Sequence, residues 1–154
     1  MPTRVAKDAR RSPAFDVRRV RALGDRMLAE LGLERAELSV LLTDDGHIQD
    51  LNREHLGKDR PTDVLAFPQD ALDEVGLAGE RLFGDVVISL DTAARQARSR
   101  RRELLAEVRF LLAHGLLHLV GYDHATPTQK KEMTAMTGRL VRAASLTDQT
   151  AQRR

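Results

Sequence analysis

The chain has 154 residues, of which 42% are apolar, 31% charged and none cysteine, and its formal net charge is +2. That length suits one domain with a buried core. The lack of cysteine excludes disulfides and thiolate ligands, so any transition-metal site must use His and carboxylates. No apolar run approaches the ~20 residues of a membrane helix. Met1 to Lys7 has no apolar stretch behind its charges and does not read as a secretory signal, which makes the cytoplasm the expected location.

In chain order, Val20, Leu23, Met27 and Leu31 recur at helical spacing between Ser12-Pro13 and Gly32, predicting a first helix. Leu38, Val40 and Leu42 alternate with Ser39, Leu41 and Thr43 as in a strand. A short helix is predicted over Asp45 to Leu56, with Ile48 and Leu51, and His55 as a further candidate, on its inner face. Val64 to Phe67 reads as a second strand, stopped by Pro68. Gln69 to Phe83 has no clear period and reads as a long connection, either a flap over a site or an insertion. Gly84-Asp85 introduces a third strand, Val86-Val87-Ile88, apolar on both faces and so expected to be central.

Asp91 is the expected N-cap of a helix to about Ser99. Glu103 to Val120 reads as a long helix, apolar nearly all round, and such a helix lies in the middle of its domain. Thr126-Pro127 opens a last helix with Met133, Met136, Leu140, Val141 and Ala144 along one stripe. One domain over residues 1–146 is therefore expected, with a flexible tail over 147–154.

Basic residues are unevenly spread. Seven fall within the first 21 residues, and Arg95, Arg98, Arg100, Arg101 and Arg102 form a second cluster. Such clusters attract polyanions. They serve equally well as solvated helix faces, and composition alone does not separate the two.

Three of the five histidines fall within eleven residues, His114, His118 and His124. Four residues apart on a helix, His114 and His118 project from one face. Gly121 can take the left-handed backbone that ends the helix and returns His124 toward them. Three imidazoles converging in an apolar region without a ligand would each cost energy. Three protein nitrogens with one open position are how a catalytic zinc is held. The H-x3-H-x2-G-x2-H spacing matches the zinc-binding stretch of metzincin proteases. Those enzymes carry a Glu after the first His as general base. Gly115 stands at that position, which speaks against a peptidase. Met133 and Met136 have helical spacing and read as core. His47 and His55 read as ordinary surface or half-buried residues.

At this point the chain resembles the YbeY endoribonucleases. Leu51-Asn52 through Pro61-Thr62-Asp63-Val64-Leu65-Ala66-Phe67 is similar to that family's "LN…GKD.PTDVLSF". Gly84 to Ser89 is like its "GDIVIS", and His114 to His124 is like its "HGxLHLxGYDH". The resemblance runs from about Leu38 to Leu140. It implies an α+β fold, with a small mixed sheet and about five helices around a buried central helix. It also implies one Zn2+ per chain on His114, His118 and His124, and cleavage of single-stranded ribosomal RNA. Maturation of the small-subunit rRNA 3′ end and ribosome quality control follow, with the small subunit and its assembly factors as partners. Two departures stand out. Leu56 occupies a position where the family often has a substrate-contacting Arg, leaving Arg53, Lys58 or Arg60 as substitutes. The family's first strand is reduced here to a few residues around Thr3 to Ala6.

A three-His zinc lowers the pKa of its water to ~7 and takes up charge on a phosphoryl oxygen. His114 is thus expected to serve catalysis as well as binding the metal. Asp85, as a catalytic partner, and Asp123 are candidate acceptors for a His N–H, with a strand-start role as the alternative for Asp85. Tyr122 is a candidate for stacking a base or for packing. With 3% aromatics, RNA recognition must lean on phosphates. Two other classes fit the motif: a zinc hydrolase of peptides or small molecules, and a non-catalytic ribosome-assembly factor with structural zinc.

Overall fold

The computed structural model describes residues 3–8, 15–68 and 81–152, with the backbone alone at 81–83 and 146–152. Its elements are β1 (Thr3–Lys7), α1 (Val17–Glu30), β2 (Ala36–Thr43), α2 (Asp45–Leu56), β3 (Val64–Pro68) and β4 (Arg81–Ser89). They continue with α3 (Leu90–Ser99), α4 (Leu104–Leu119) and α5 (Pro127–Gln152). The strands form one sheet in the order β1-β2-β4-β3. β1 and β4 both run parallel to β2, whereas β3 is antiparallel to β4. This is the expected α+β arrangement with a mixed sheet.

Strand alternation divides the core into two layers. Val86 and Ile88 of β4 and Leu38, Val40 and Leu42 of β2 face the main core with α1, α4 and α5. Val87 points the other way and meets Ile48 of α2 and Leu65 of β3. Apolar on both faces, β4 lies between β2 and β3 as its sequence predicts. Helix α4 is the buried centre: Val108, Leu112, Ala113, Leu116 and Leu117 are 0% exposed. Gly84, at φ +152°, lets β3 and α4 approach β4 closely. A Cβ there would stand 2.7 Å from the Phe67 carbonyl oxygen and 2.9 Å from Leu119 Cδ2.

Several expectations are corrected. The third strand starts at Arg81 rather than Gly84, because its backbone ladder with Ala36 and Glu37 continues past the register shift between Glu37 and Leu38. Residues 81–83 thus leave the expected long connection, whose remainder, Gln69 to Glu80, lies outside the described residues. The N-cap of α3 is Ser89, whose hydroxyl accepts from the Thr92 amide. Asp91 instead accepts from the Asp45 amide at 3.0 Å, tying α3 to the start of α2. His55 is exposed, stacked obliquely on Phe67 at 5.0 Å, and does not face the core. The first helix begins at Val17, capped by Asp16; Ser12 and Pro13 lie outside the described residues. The last helix is traced to Gln152, across the stretch expected as a tail. Among the described residues, no helix is long and apolar enough to cross a membrane.

Candidate metal centre

Helix α4 fixes His114 and His118 one turn apart, and its C-terminal turn delivers His124. Val120 caps the helix, Gly121 takes φ +102°, and the Tyr122 amide returns a hydrogen bond to the Leu117 carbonyl at 3.0 Å. Tyr122 packs half-buried against the main core. The chain then doubles back, bringing the His124 ring centroid to 5.4 Å from that of His118 and 6.1 Å from that of His114.

The nitrogens converge. His114 Nε2 and His118 Nε2 are 3.2 Å apart. One ligand nitrogen from each of the three residues lies within 4.8 Å of the others. Ligands ~2.0–2.1 Å from a tetrahedral ion stand about 3.3 Å from one another, so the first pair already has the right spacing. Burial pushes the His114 pKa below its ordinary 6.5, and His118 and His124 add to the effect, while the Asp63 charge opposes it. A neutral His114 keeps a lone pair to donate. His114 and His118 are half-buried and His124 exposed, so the group opens toward solvent on one side. This donor set fits a metal ion.

A carboxylate whose charge is felt at His114 is Asp63, which sequence reasoning quoted in a motif but did not place in the site. It heads β3, beside α4. Its Oδ1 accepts from the Val64 amide at 2.8 Å, and its Oδ2 accepts from Gln96 Nε2 at 3.2 Å. The signal available was the Thr62-Asp63 block itself, without a way to know which helix β3 would border.

Asp85 is not brought to the histidines. It alternates with Val86, so it shares the opposite face of the sheet with Val87 and lines a groove with Leu51, His55 and Phe67. That face lies across the sheet from α4, which removes it as a catalytic partner of His114. Asp123 acts on the main chain: its Oδ1 accepts from the His124 amide at 2.7 Å and shapes the return of the chain rather than holding a ring N–H. His47 has structural partners, with Nδ1 2.9 Å from Asp8 Oδ2 and 3.0 Å from Thr43 Oγ1.

The basic residues divide by role. Arg53 is held by Asp50 at 2.9 Å and Asp59 at 3.2 Å and braces the turn after α2. Gly57, in the left-handed region, ends that helix, and Asn52 Nδ2 donates to the Arg60 carbonyl at 2.9 Å. Lys58 and Arg60 are exposed on the loop that leads to Asp63, and Leu56 is 54% exposed on the same turn. Of the second arginine cluster, Arg95 pairs with Asp45, and Arg100 and Arg102 fold onto the buried Glu107. Those three are committed to the fold.

A family model described as Endoribonuclease YbeY matches residues 8–145. A curated relative from Anaeromyxobacter dehalogenans, named Endoribonuclease YbeY, is 53% identical over 129 residues. The match covers 84% of this chain but 65% of that relative, so the chain spans just under two thirds of its length. A relative of the same name from Geobacter metallireducens is 44% identical, with 80% of this chain and 81% of the relative covered. The solution structure of TM1509 from Thermotoga maritima is similar in fold. It has a TM-score of 0.66 at 23% identity and covers 97% of this chain and 93% of that one.

Proposed function

The chain belongs to the YbeY family, and from that premise we propose that it is a zinc-dependent endoribonuclease cutting single-stranded RNA. The observation that carries this reading is the convergence of His114 and His118, on an enclosed helix, with His124 from the turn that follows it, and Gly115 where a peptidase has its base. Zinc held by those residues supplies Lewis acidity and a water of lowered pKa.

The remaining work falls to the chain's own groups. Burial keeps His114 neutral and available as a ligand. Asp63, anchored by the Val64 amide and Gln96, sets a negative charge beside His114. Lys58 and Arg60 bind RNA phosphates from the adjoining loop, with Arg53 holding that loop in place. Phosphoryl transfer depends on such positioning and charge stabilisation. A peptidase reading is disfavoured because Gly115 is pressed onto Val86 and has no room for an acidic side chain.

The resemblance extends the proposal to ribosomal RNA, in maturation of the small-subunit 3′ end and in ribosome quality control. Its setting is the cytoplasm, with the small subunit and its assembly factors as partners and one zinc per chain. The test is metal analysis of purified protein together with cleavage of a single-stranded RNA. Wild type should carry about one zinc and cut the RNA. Alanine at His114, His118 or His124 should lose most of both. Unaltered metal content in all three variants, or peptide hydrolysis faster than RNA cleavage, would refute the reading.

A further inference from the structure

Between α4 and α5 lies a cavity of about 650 Å³, with His114 and His124 on its wall. Its size falls within the ~300–1,000 Å³ of small-molecule sites. Resting on the endoribonuclease reading, we propose that this cavity seats one base of the RNA, that of a nucleotide adjoining the cleaved phosphate.

Polarity is graded in the right sense for a nucleotide. The floor is buried, formed by Met133 at 3% exposure and Thr137 at 6%. Phe110 and Val141 are half-buried walls, while Arg102 and Lys130 are exposed at the rim. With Arg102 turned toward Glu107, Lys130 is the rim cation left for a phosphate, and an apolar interior next to the metal ligands suits a base inside with its phosphate outside. Phe110 adds aromatic surface to the wall, where a base would meet it beside the Arg100 and Arg102 guanidiniums, 5.8 and 5.9 Å from its ring centroid, and the His114 ring at 6.4 Å.

Thr137 gives the floor a hydrogen-bonding sense. Its hydroxyl donates to the Met133 carbonyl at 2.8 Å, so the oxygen offers lone pairs to an incoming N–H. A base with an exocyclic amino group (adenine, cytosine or guanine) can donate there; the ring N3–H of uracil is flanked by two carbonyl oxygens that Thr137, its proton already given to Met133, cannot satisfy. Gly138 keeps the space open. A Cβ added there would meet only the guanidinium end of Arg142, at 3.2 Å, and that end can move.

Gly138→Leu therefore fills the cavity while favouring the helix, with Ala135→Leu, at an exposed position of α5 outside the cavity lining, as the control. Cleavage of single-stranded RNA by wild type and both variants is compared with zinc content and thermal melting. Binding of adenosine and uridine 5′-monophosphates is followed by NMR shifts of the Met133 methyl. Gly138→Leu should raise KM and weaken adenosine monophosphate binding at least tenfold, with zinc retained, while Ala135→Leu stays within twofold. Thr137→Val should narrow the wild-type preference for amino-bearing bases over uracil. Unchanged KM and unchanged nucleotide binding in a folded, zinc-loaded Gly138→Leu protein would overturn the cavity assignment. Equal wild-type binding of the two nucleotides would overturn the role of Thr137. Wild type that binds adenosine monophosphate with Met133 shifts yet cuts no RNA would remove the endoribonuclease reading and leave the cavity standing.

Discussion

Gly115 of α4 lies flush on Val86 of β4: a Cβ at position 115 would stand 2.7 Å from Val86 Cγ1 and 3.1 Å from Val64 Cγ2. The residue after the first metal ligand thus faces the sheet, while His114 and His118 face the opening. Close approach of helix and sheet is what a glycine permits there, and it brings His114 near the head of β3 and Asp63. Restoring a metzincin-like base by Gly115→Glu is sterically barred, since the acid would be driven into the core. Gly115→Ala should cost about 1–3 kcal/mol through overpacking, offset in part by ~1 kcal/mol of helix propensity. Gly115→Glu should cost more. Denaturant titration of the three proteins checks the order; a Gly115→Glu protein as stable as wild type would mean that α4 can lift off the sheet.

Glu107 is 0% exposed, and its Oε1 accepts from Arg100 Nη1 at 2.6 Å, with Arg102 Nη1 3.6 Å from Oε2. Removing a partner from a buried carboxylate leaves uncompensated charge, a loss of ~3–5 kcal/mol. Arg100 is itself half-exposed and Arg102 stands by, so Arg100→Ala should cost about 3 kcal/mol. Exposed Arg98 should tolerate alanine within ~0.5 kcal/mol. Chemical denaturation separates the two, and equal small losses would return Arg100 to the solvated surface.

Asp45 joins the N-termini of α2 and α3. Its carboxylate accepts from Ser89 Oγ at 2.6 Å, Thr92 Oγ1 at 2.7 Å and Arg95 Nη2 at 2.8 Å. Partial burial raises its pKa, but these bonds outweigh it and hold the group below its ordinary 3.8. A carboxylate with a folded pKa below its unfolded one stabilises above the unfolded value and loses that contribution as pH falls through the folded one. Asp45→Asn should therefore cost about 1–3 kcal/mol at pH 7. The gap to wild type should shrink only below pH 3.8. Urea titrations at several pH values test this; a gap that closes between pH 7 and 5 would point to another group.

RNA binding should be salt-sensitive, because exposed cations supply the phosphate contacts. For single strands, log affinity falls with log salt at a slope of about −0.7 per contact. Replacing Lys58 and Arg60 with Gln should flatten that slope by roughly 1.4 and depress cleavage, with metal content unchanged. Replacing His47 should alter neither. Filter binding across a salt series provides the measurement, and an unchanged slope in the double variant would move the phosphate path elsewhere.

The sequence by itself determined the features that depend on local spacing. Period-two alternation marked β2, a short apolar run stopped by Pro68 marked β3, and the doubly apolar Val86 to Ile88 run marked a central strand. The apolar circumference of α4 marked its burial, and the i, i+4 histidines with Gly121 marked the metal group. Each depends on neighbours within a few residues, where helix and strand geometry is nearly constant.

Tertiary structure alone decided what lies across from what. It set Asp85 on the far face of the sheet from the histidines, because alternation is visible in one strand but the choice of face needs the packed helix. It brought the charge of Asp63, at the head of β3, within electrostatic reach of His114, some fifty residues further along the chain. It committed Arg95, Arg100 and Arg102 to Asp45 and Glu107, where charge counting had left nucleic acid and solvent equally open. It also made the cavity between α4 and α5, whose walls come from two helices that share no sequence pattern. Such juxtapositions arise when the core closes and long-range contacts are chosen together, so no window of sequence contains them.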